Sequence, residues 1–167
     1  MKKRIISTLV LWIVTIICFF YIGPDAAVWL LAVLALSSQY EFYSLLEKMG
    51  RRPFKKFGIF LGGIIIFAPY YANKLELSHA EGVQSGIIAV TIVACCLRIF
   101  RERQVAERIE TLGSTLLGLI YVPFMLGFLV RMIELPGDPK QGLMLVVWLI
   151  VTAKFTDVGA LLVGKAF

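Results

Sequence analysis

Residues 112–133 read Leu-Gly-Ser-Thr-Leu-Leu-Gly-Leu-Ile-Tyr-Val-Pro-Phe-Met-Leu-Gly-Phe-Leu-Val-Arg-Met-Ile, a run whose first charge is Arg131. A helix needs roughly 20 predominantly apolar residues to cross about 30 Å of hydrocarbon, with about 17–25 as the usual range. Five further stretches approach that requirement. Ile5 to Ile22 has no charge and ends at Gly23-Pro24-Asp25, which reads as a tight turn. Ala26 to Leu46 follows, then two shorter stretches, Phe57 to Tyr71 and Val83 to Leu97, and finally Leu143 to Gly164. The pattern predicts an all-α fold: a polytopic membrane bundle of about six transmembrane helices, forming a single transmembrane domain over residues 1–167. The two short stretches could alternatively form a re-entrant pair.

The connecting segments test this division. Cytoplasmic loops of membrane proteins carry an excess of lysine and arginine. Lys2, Lys3 and Arg4 precede the first stretch; Lys48, Arg51, Arg52, Lys55 and Lys56 follow the second; Arg98, Arg101, Arg103 and Arg108 follow the fourth; Lys165 ends the sixth. Only Lys74, Arg131 and Lys140 fall on the other side, and Lys154 lies within a stretch. The alternation places both termini in the cytoplasm.

The composition agrees. The chain is 59% hydrophobic, its mean hydropathy is +0.85, and soluble domains usually sit near 45–50% apolar. The excess extends along the whole chain, which excludes a cleaved signal peptide ahead of a soluble domain. A net charge of +6 would suggest nucleic acid as a partner for a soluble protein. Here the placement of the charge matters more than its sum, and no nucleic acid is expected. Cys18, Cys95 and Cys96 all lie in apolar runs without CxxC spacing, so they read as packing residues. Gly58 and Gly62 form a GxxxG, and Ser114 and Gly118 a small-xxx-small pair; both should mark close helix contacts. Pro123, inside the fifth stretch, is tolerable where neighbours satisfy the freed carbonyl. Arg98 to Glu110 reads either as a short surface helix or as a solvated linker.

Ionisable groups inside a membrane helix are costly and are functional candidates by default. Glu41 lies about one turn from the cytoplasmic end of its stretch, where it reads as an interfacial charge within reach of Arg51 and Arg52. Lys154 and Asp157 are three apart, share a helical face and can form an ion pair. Gly159 and Ala160 leave room beside the Asp157 carboxylate, about two turns from the cytoplasmic end. A carboxylate there suits a divalent cation such as Mg2+, which prefers oxygen ligands and is often shared with substrate phosphates. One carboxylate does not complete such a site, and no second lies nearby in sequence. His79 reads as a solvent-exposed loop residue. The chain contains no GxSxG, HExxH or P-loop motif.

The run from Val147 to Ala160, followed by Val163-Gly164-Lys165-Ala166-Phe167, resembles the phosphatidate cytidylyltransferase (CDP-diacylglycerol synthase) family, whose corresponding helix ends in D-x-G-A-Y-x-x-G-[RK]-x-F. Asp157, Gly159, Ala160, Gly164, Lys165 and Phe167 match. Lys3 to Ser7, Glu41 with the basic segment after it, and Leu116 to Pro123 are similar more loosely. Leu161 departs from the family's tyrosine, and Lys154 from a small or apolar residue. The family continues with an S-P-x-K-T-x-E-G segment and a later signature rich in Lys, Asp and His. The sequence stops within a motif, so the expectation is the truncated N-terminal part of a longer enzyme, inactive by itself.

The resemblance implies transfer of CMP from CTP to phosphatidic acid, giving CDP-diacylglycerol and pyrophosphate, with Mg2+ as cofactor. It implies that Asp157 contacts metal or nucleotide as the catalytic residue, and that Lys165 and Gly159 belong to the substrate site. The expected surroundings are a lipid bilayer and a bacterial inner membrane, since no eukaryotic targeting segment is present, and a homodimer is allowed. Two other readings compete. One is a non-enzymatic membrane transporter or assembly subunit using the Lys154–Asp157 ion pair. The other is a different CTP-using lipid or polyprenol kinase of similar layout.

Overall fold

The computed structural model describes residues 23–75, 80–100, 105–134 and 139–166. The described residues form helices and no strands. Helix α1 spans Pro24–Lys48, α2 Lys55–Lys74, α3 Ala80–Ile99 and α4 Val105–Leu119. A π-helical turn, Ile120–Phe124, carries α4 into α5, Met125–Ile133, and α6 spans Pro139–Ala166. Helices α1, α2, α3 and α6 each contain one of the expected apolar stretches, and the fifth, Leu112 to Ile133, runs from α4 through the π-turn into α5. The first stretch, Ile5 to Ile22, lies outside the described residues, as do Cys18 and His79. By length and composition one continuous helix, Arg108–Ile133, with mean hydropathy 2.1, is long and apolar enough to cross a membrane.

The chain divides into two compact units, residues 1–130 and 131–167. In the first, α2 packs against α1, α3, α4 and the π-turn. Its inner core is built from Leu61 and Ile65 of α2, Cys95 of α3 and Leu119 of α4, flanked by Phe57, Ile87, Leu112 and Phe124. Cys95 and Cys96 are both free, and Cys95 is fully buried as a packing residue. In the second unit, the start of α6 lies so close to the end of α5 that a Cβ at Gly142 would overlap the carbonyl oxygens of Met132 and Ile133.

The helix ends follow from local sequence. Gly23 takes φ +107° immediately before Pro24, and proline suits the first helical position because its missing N–H would be unpaired there anyway. At the other end of α1, Gly50 takes φ +85°. Its N–H bonds Glu47 O at 3.1 Å while Arg51 N–H reaches back to Leu46 O at 2.9 Å. This is the Schellman arrangement, which satisfies carbonyls a helix end otherwise leaves open. Pro123 sits inside the π-turn, where the widened backbone accommodates a ring that a regular α-helix would not. Phe42 of α1 packs on Tyr121 of this turn with ring centroids 5.6 Å apart.

The small-residue pairs do mark close contacts, and they face a buried polar cluster. Gln39 and Tyr43, one turn apart on α1, are both fully buried. A Cβ at Gly58 would stand 2.5 Å from Tyr43 Oη, one at Gly62 would overlap Gln39 Oε1, and one at Gly118 would overlap the Tyr43 ring. Tyr43 therefore fills a notch with a glycine of α2 on one side and a glycine of α4 on the other. Its hydroxyl donates to Thr115 O at 2.8 Å. Gln39 Nε2 donates to Gly58 O at 3.0 Å and to Tyr43 Oη at 3.2 Å. Gln39 Oε1 faces Gly62 with no hydrogen-bond partner. The Thr115 hydroxyl donates to Thr111 O at 2.7 Å and accepts the Phe54 N–H at 2.9 Å, so a side chain of α4 caps the start of α2.

The segment between α3 and α4 differs from expectation. Val105 to Glu110 forms neither a separate surface helix nor a linker; it is the first part of α4. Glu110 is held there by Arg51, Nη1 to Oε1 at 2.6 Å. Arg51 thus pairs with Glu110 and not with Glu41.

Two predictions follow from this packing. Gly118→Ala forces a methyl into the Tyr43 ring and should lower stability by about 1–3 kcal/mol, the usual cost of overpacking. Gly113→Ala on the same helix meets open space and should leave stability unchanged or raise it by up to about 1 kcal/mol through helix propensity. Thermal unfolding of the two variants side by side checks this. At the opposite end of the bundle, Lys74 Nζ holds both carboxylate oxygens of Asp25, at 2.7 and 2.9 Å, and Tyr70 donates to Oδ1 at 2.6 Å. The Lys74 and Tyr70 hydrogen bonds hold the Asp25 pKa below its usual value. A lowered carboxylate pKa contributes stability that is present above the unfolded pKa and fades as pH falls through the folded one. The acid limb of the stability–pH curve should accordingly flatten in Asp25→Asn, with only a small loss at neutral pH because the pair is exposed.

Candidate functional site

Asp157 lies on α6 in a segment whose exposed residues include Thr152, Lys154, Phe155 and Thr156. The hydroxyls of Thr152 and Thr156 turn back onto Trp148 O and Thr152 O, at 2.8 and 2.9 Å. They therefore satisfy themselves within the helix and leave the carboxylate as the outward-facing acceptor. Lys154 Nζ stands 3.8 Å from Asp157 Oδ2, with the side chains 55% and 74% exposed. That separation is an ion pair but exceeds hydrogen-bond length. A Cβ at Gly159 or Gly164 would meet nothing within 4 Å, so both glycines border open space along α6. Lys165 is on the same helix. Among the described residues no group of three or more His, Cys, Asp or Glu side chains could hold a metal ion. The donor set at Asp157 is one carboxylate, which fits a Mg2+ shared with substrate phosphates and not a metal held by the protein alone.

In the first unit, basic residues gather where α1 ends and α2 begins, and each of three is fixed differently. Arg51 is tied to Glu110. Lys55 donates to Ser44 Oγ at 2.7 Å and Glu47 Oε2 at 3.1 Å, and its ammonium lies 3.9 Å from the centroid of the Tyr40 ring. The Arg98 guanidinium stands 5.0 Å from the centroid of Phe54. Because Phe54 is itself held by Thr115, the buried polar cluster fixes the segment that carries these cations. Sequence reasoning passed over Gln39, Tyr43 and Thr115. The available signal was the polar run Ser37-Ser38-Gln39-Tyr40-Glu41 within an apolar stretch, with Tyr43 one turn beyond Gln39.

A model of the cytidylyltransferase family matches residues 2–167. The chain belongs to this family. No curated protein and no solved structure matches it. Membership makes the protein a CTP-using nucleotidyltransferase by class, in agreement with the residues of the sixth stretch that carry the resemblance.

The Arg51–Glu110 pair ties the basic segment to α4, and its two side chains are about half exposed. A double-mutant cycle of Arg51→Ala and Glu110→Ala should therefore return a coupling below about 1 kcal/mol, shrinking as salt is raised. A larger coupling, insensitive to salt, would show the pair to be desolvated.

Proposed function

We propose that this protein is the transmembrane domain of a phosphatidate cytidylyltransferase, with about six spans and both termini cytoplasmic. The observation that carries the reading is Asp157: an outward carboxylate on an apolar helix, open beside Gly159, within the motif shared with the family. The membrane layout is supported by the Arg108–Ile133 helix and by the large apolar side chains on the outside of every helix, among them Val33, Phe60, Val90, Leu117 and Trp148. Apolar surface on that scale marks contact with lipid or protein.

In the proposed reaction a phosphate oxygen of phosphatidic acid attacks the α-phosphorus of CTP, the new P–O bond forms, and the bond to the β-phosphate oxygen breaks to release pyrophosphate. Both substrates are anions, so the protein's task is to position them and to offset their charge. The basic segment at the start of α2 would attract lipid headgroup and nucleotide to the cytoplasmic face. Asp157 is the residue that would hold Mg2+, and the bound ion would neutralise phosphate oxygens. Gly159 keeps the space for the nucleotide, and Lys165 would contact phosphate. The reading extends to a multi-pass position in a bacterial inner membrane.

Incorporation of labelled CTP into lipid by membranes expressing the longer enzyme expected from the sequence tests the reading. Asp157→Asn should lower it by about 100-fold or more, the scale of losing one principal electrostatic contact, while the melting temperature stays put because the side chain is exposed. Undiminished turnover in a correctly folded Asp157→Asn protein removes Asp157 from the site.

A further inference from the structure

Helices α1 and α2 run antiparallel, with Asp25 beside Lys74 at one end and Gln39 beside Gly58 at the other. On their outer side lies a groove of about 490 Å³ lined by Leu36 of α1 and by Phe60, Gly63, Phe67 and Tyr71 with their neighbours on α2. The Tyr71 phenol is its one side-chain polar group. Gly63 opens its floor, since a Cβ there meets nothing within 4 Å. The lining runs from Ile59 to Tyr71, about 18 Å at about 1.5 Å per residue. At the Tyr71 end, Trp29, Phe67 and Tyr71 form a ring cluster, with Trp29 and Phe67 centroids 4.6 Å apart. Trp and Tyr favour the headgroup level of a bilayer, which puts this end at the non-cytoplasmic interface.

We infer that this groove binds one acyl chain of a bilayer phospholipid entering from the non-cytoplasmic leaflet, at a site separate from Asp157. The inference rests on the membrane layout proposed above. The lining selects the occupant: an open furrow about 18 Å long, apolar along its length but for the Tyr71 phenol, suits a polymethylene chain. Length agrees, because one leaflet contributes about half of the roughly 30 Å hydrocarbon thickness. The polar end agrees as well. One turn beyond Tyr71, Asp25 and Lys74 present a neutralised pair of opposite charges, each side chain more than half exposed. That pair complements a zwitterionic headgroup, ammonium toward Asp25 and phosphate toward Lys74, better than a purely anionic one.

The test uses the full chain in phosphatidylethanolamine bilayers doped with the same lipid bearing a diazirine on one acyl chain, with labelled residues mapped by mass spectrometry after irradiation. Phe60, Gly63 and Phe67 should carry about tenfold more label than the exposed apolar residues Val90 and Val93, a preference of about 1.4 kcal/mol. Gly63→Leu, which fills the floor, should bring them down to the Val90 level. Even labelling in the unaltered chain overturns the inference without calling on any variant, and so does enrichment that survives Gly63→Leu. Chain-to-chain crosslinks at these positions would assign the groove to a second copy instead. Absence of label from every residue, Val90 and Val93 included, would reject the membrane layout itself, an outcome distinct from failure of the groove.

Discussion

A phenol buried among apolar helices must find an acceptor, and Tyr43 finds it in the backbone of a neighbouring helix, at Thr115 O. That bond can form only because Gly58 and Gly118 present no side chain to the ring. An unpaired buried hydroxyl costs more than a typical hydrogen bond contributes, so the geometry has little freedom: α1 must meet α2 and α4 at this height and rotation. The rest of the first unit is arranged around that meeting point. Thr115 passes the constraint on through its hydroxyl to Phe54 N, and hence to the segment carrying Arg51 and Lys55. The position of the basic rim is therefore a consequence of packing deep in the bundle. Helix α4 also brings Glu110 to Arg51, closing the same loop from the outside.

The helices were legible in the sequence because apolar length is a direct readout of the solvent a helix will meet. The ends of α1 and α2 fall within a few residues of the expected ones, Pro24–Lys48 against Ala26 to Leu46 and Lys55–Lys74 against Phe57 to Tyr71. Gly58, Gly62 and Gly118 were legible as contact points because small residues spaced four apart have few other uses on an apolar helix. What those glycines contact was not. Gln39 and Tyr43 lie about twenty residues before one pair and more than seventy before Thr115, and no local rule links them. The partner of Arg51 was not legible for the same reason: Glu110 lies 59 residues away in sequence, and α4 delivers it. The start of α4 at Val105 was hidden because charges at 107, 108 and 110 resemble a linker until Arg51 neutralises one of them.

For the candidate site the balance is reversed. Asp157 and Gly159 were readable from a motif, and Gly159 borders open space. The complete donor set was not readable, since a carboxylate shared with a substrate needs partners that no spacing rule on α6 could supply.

The ion pairs give a further reason to set Asp157 apart. Asp25–Lys74, Glu47–Lys55 and Glu110–Arg51 all close to between 2.6 and 3.1 Å, and all lie at helix ends, where water competes and little is gained by pairing. Lys154–Asp157 lies within an apolar helix, where leaving a charge unpaired costs most, yet it stands at 3.8 Å. On the membrane layout proposed above, a pair kept only to neutralise two awkward charges is expected to close as far as the other three. It is instead the loosest. A carboxylate whose lone pairs are not consumed by its neighbour, with glycine beside it, retains the capacity to take an external cation or phosphate-bound ion.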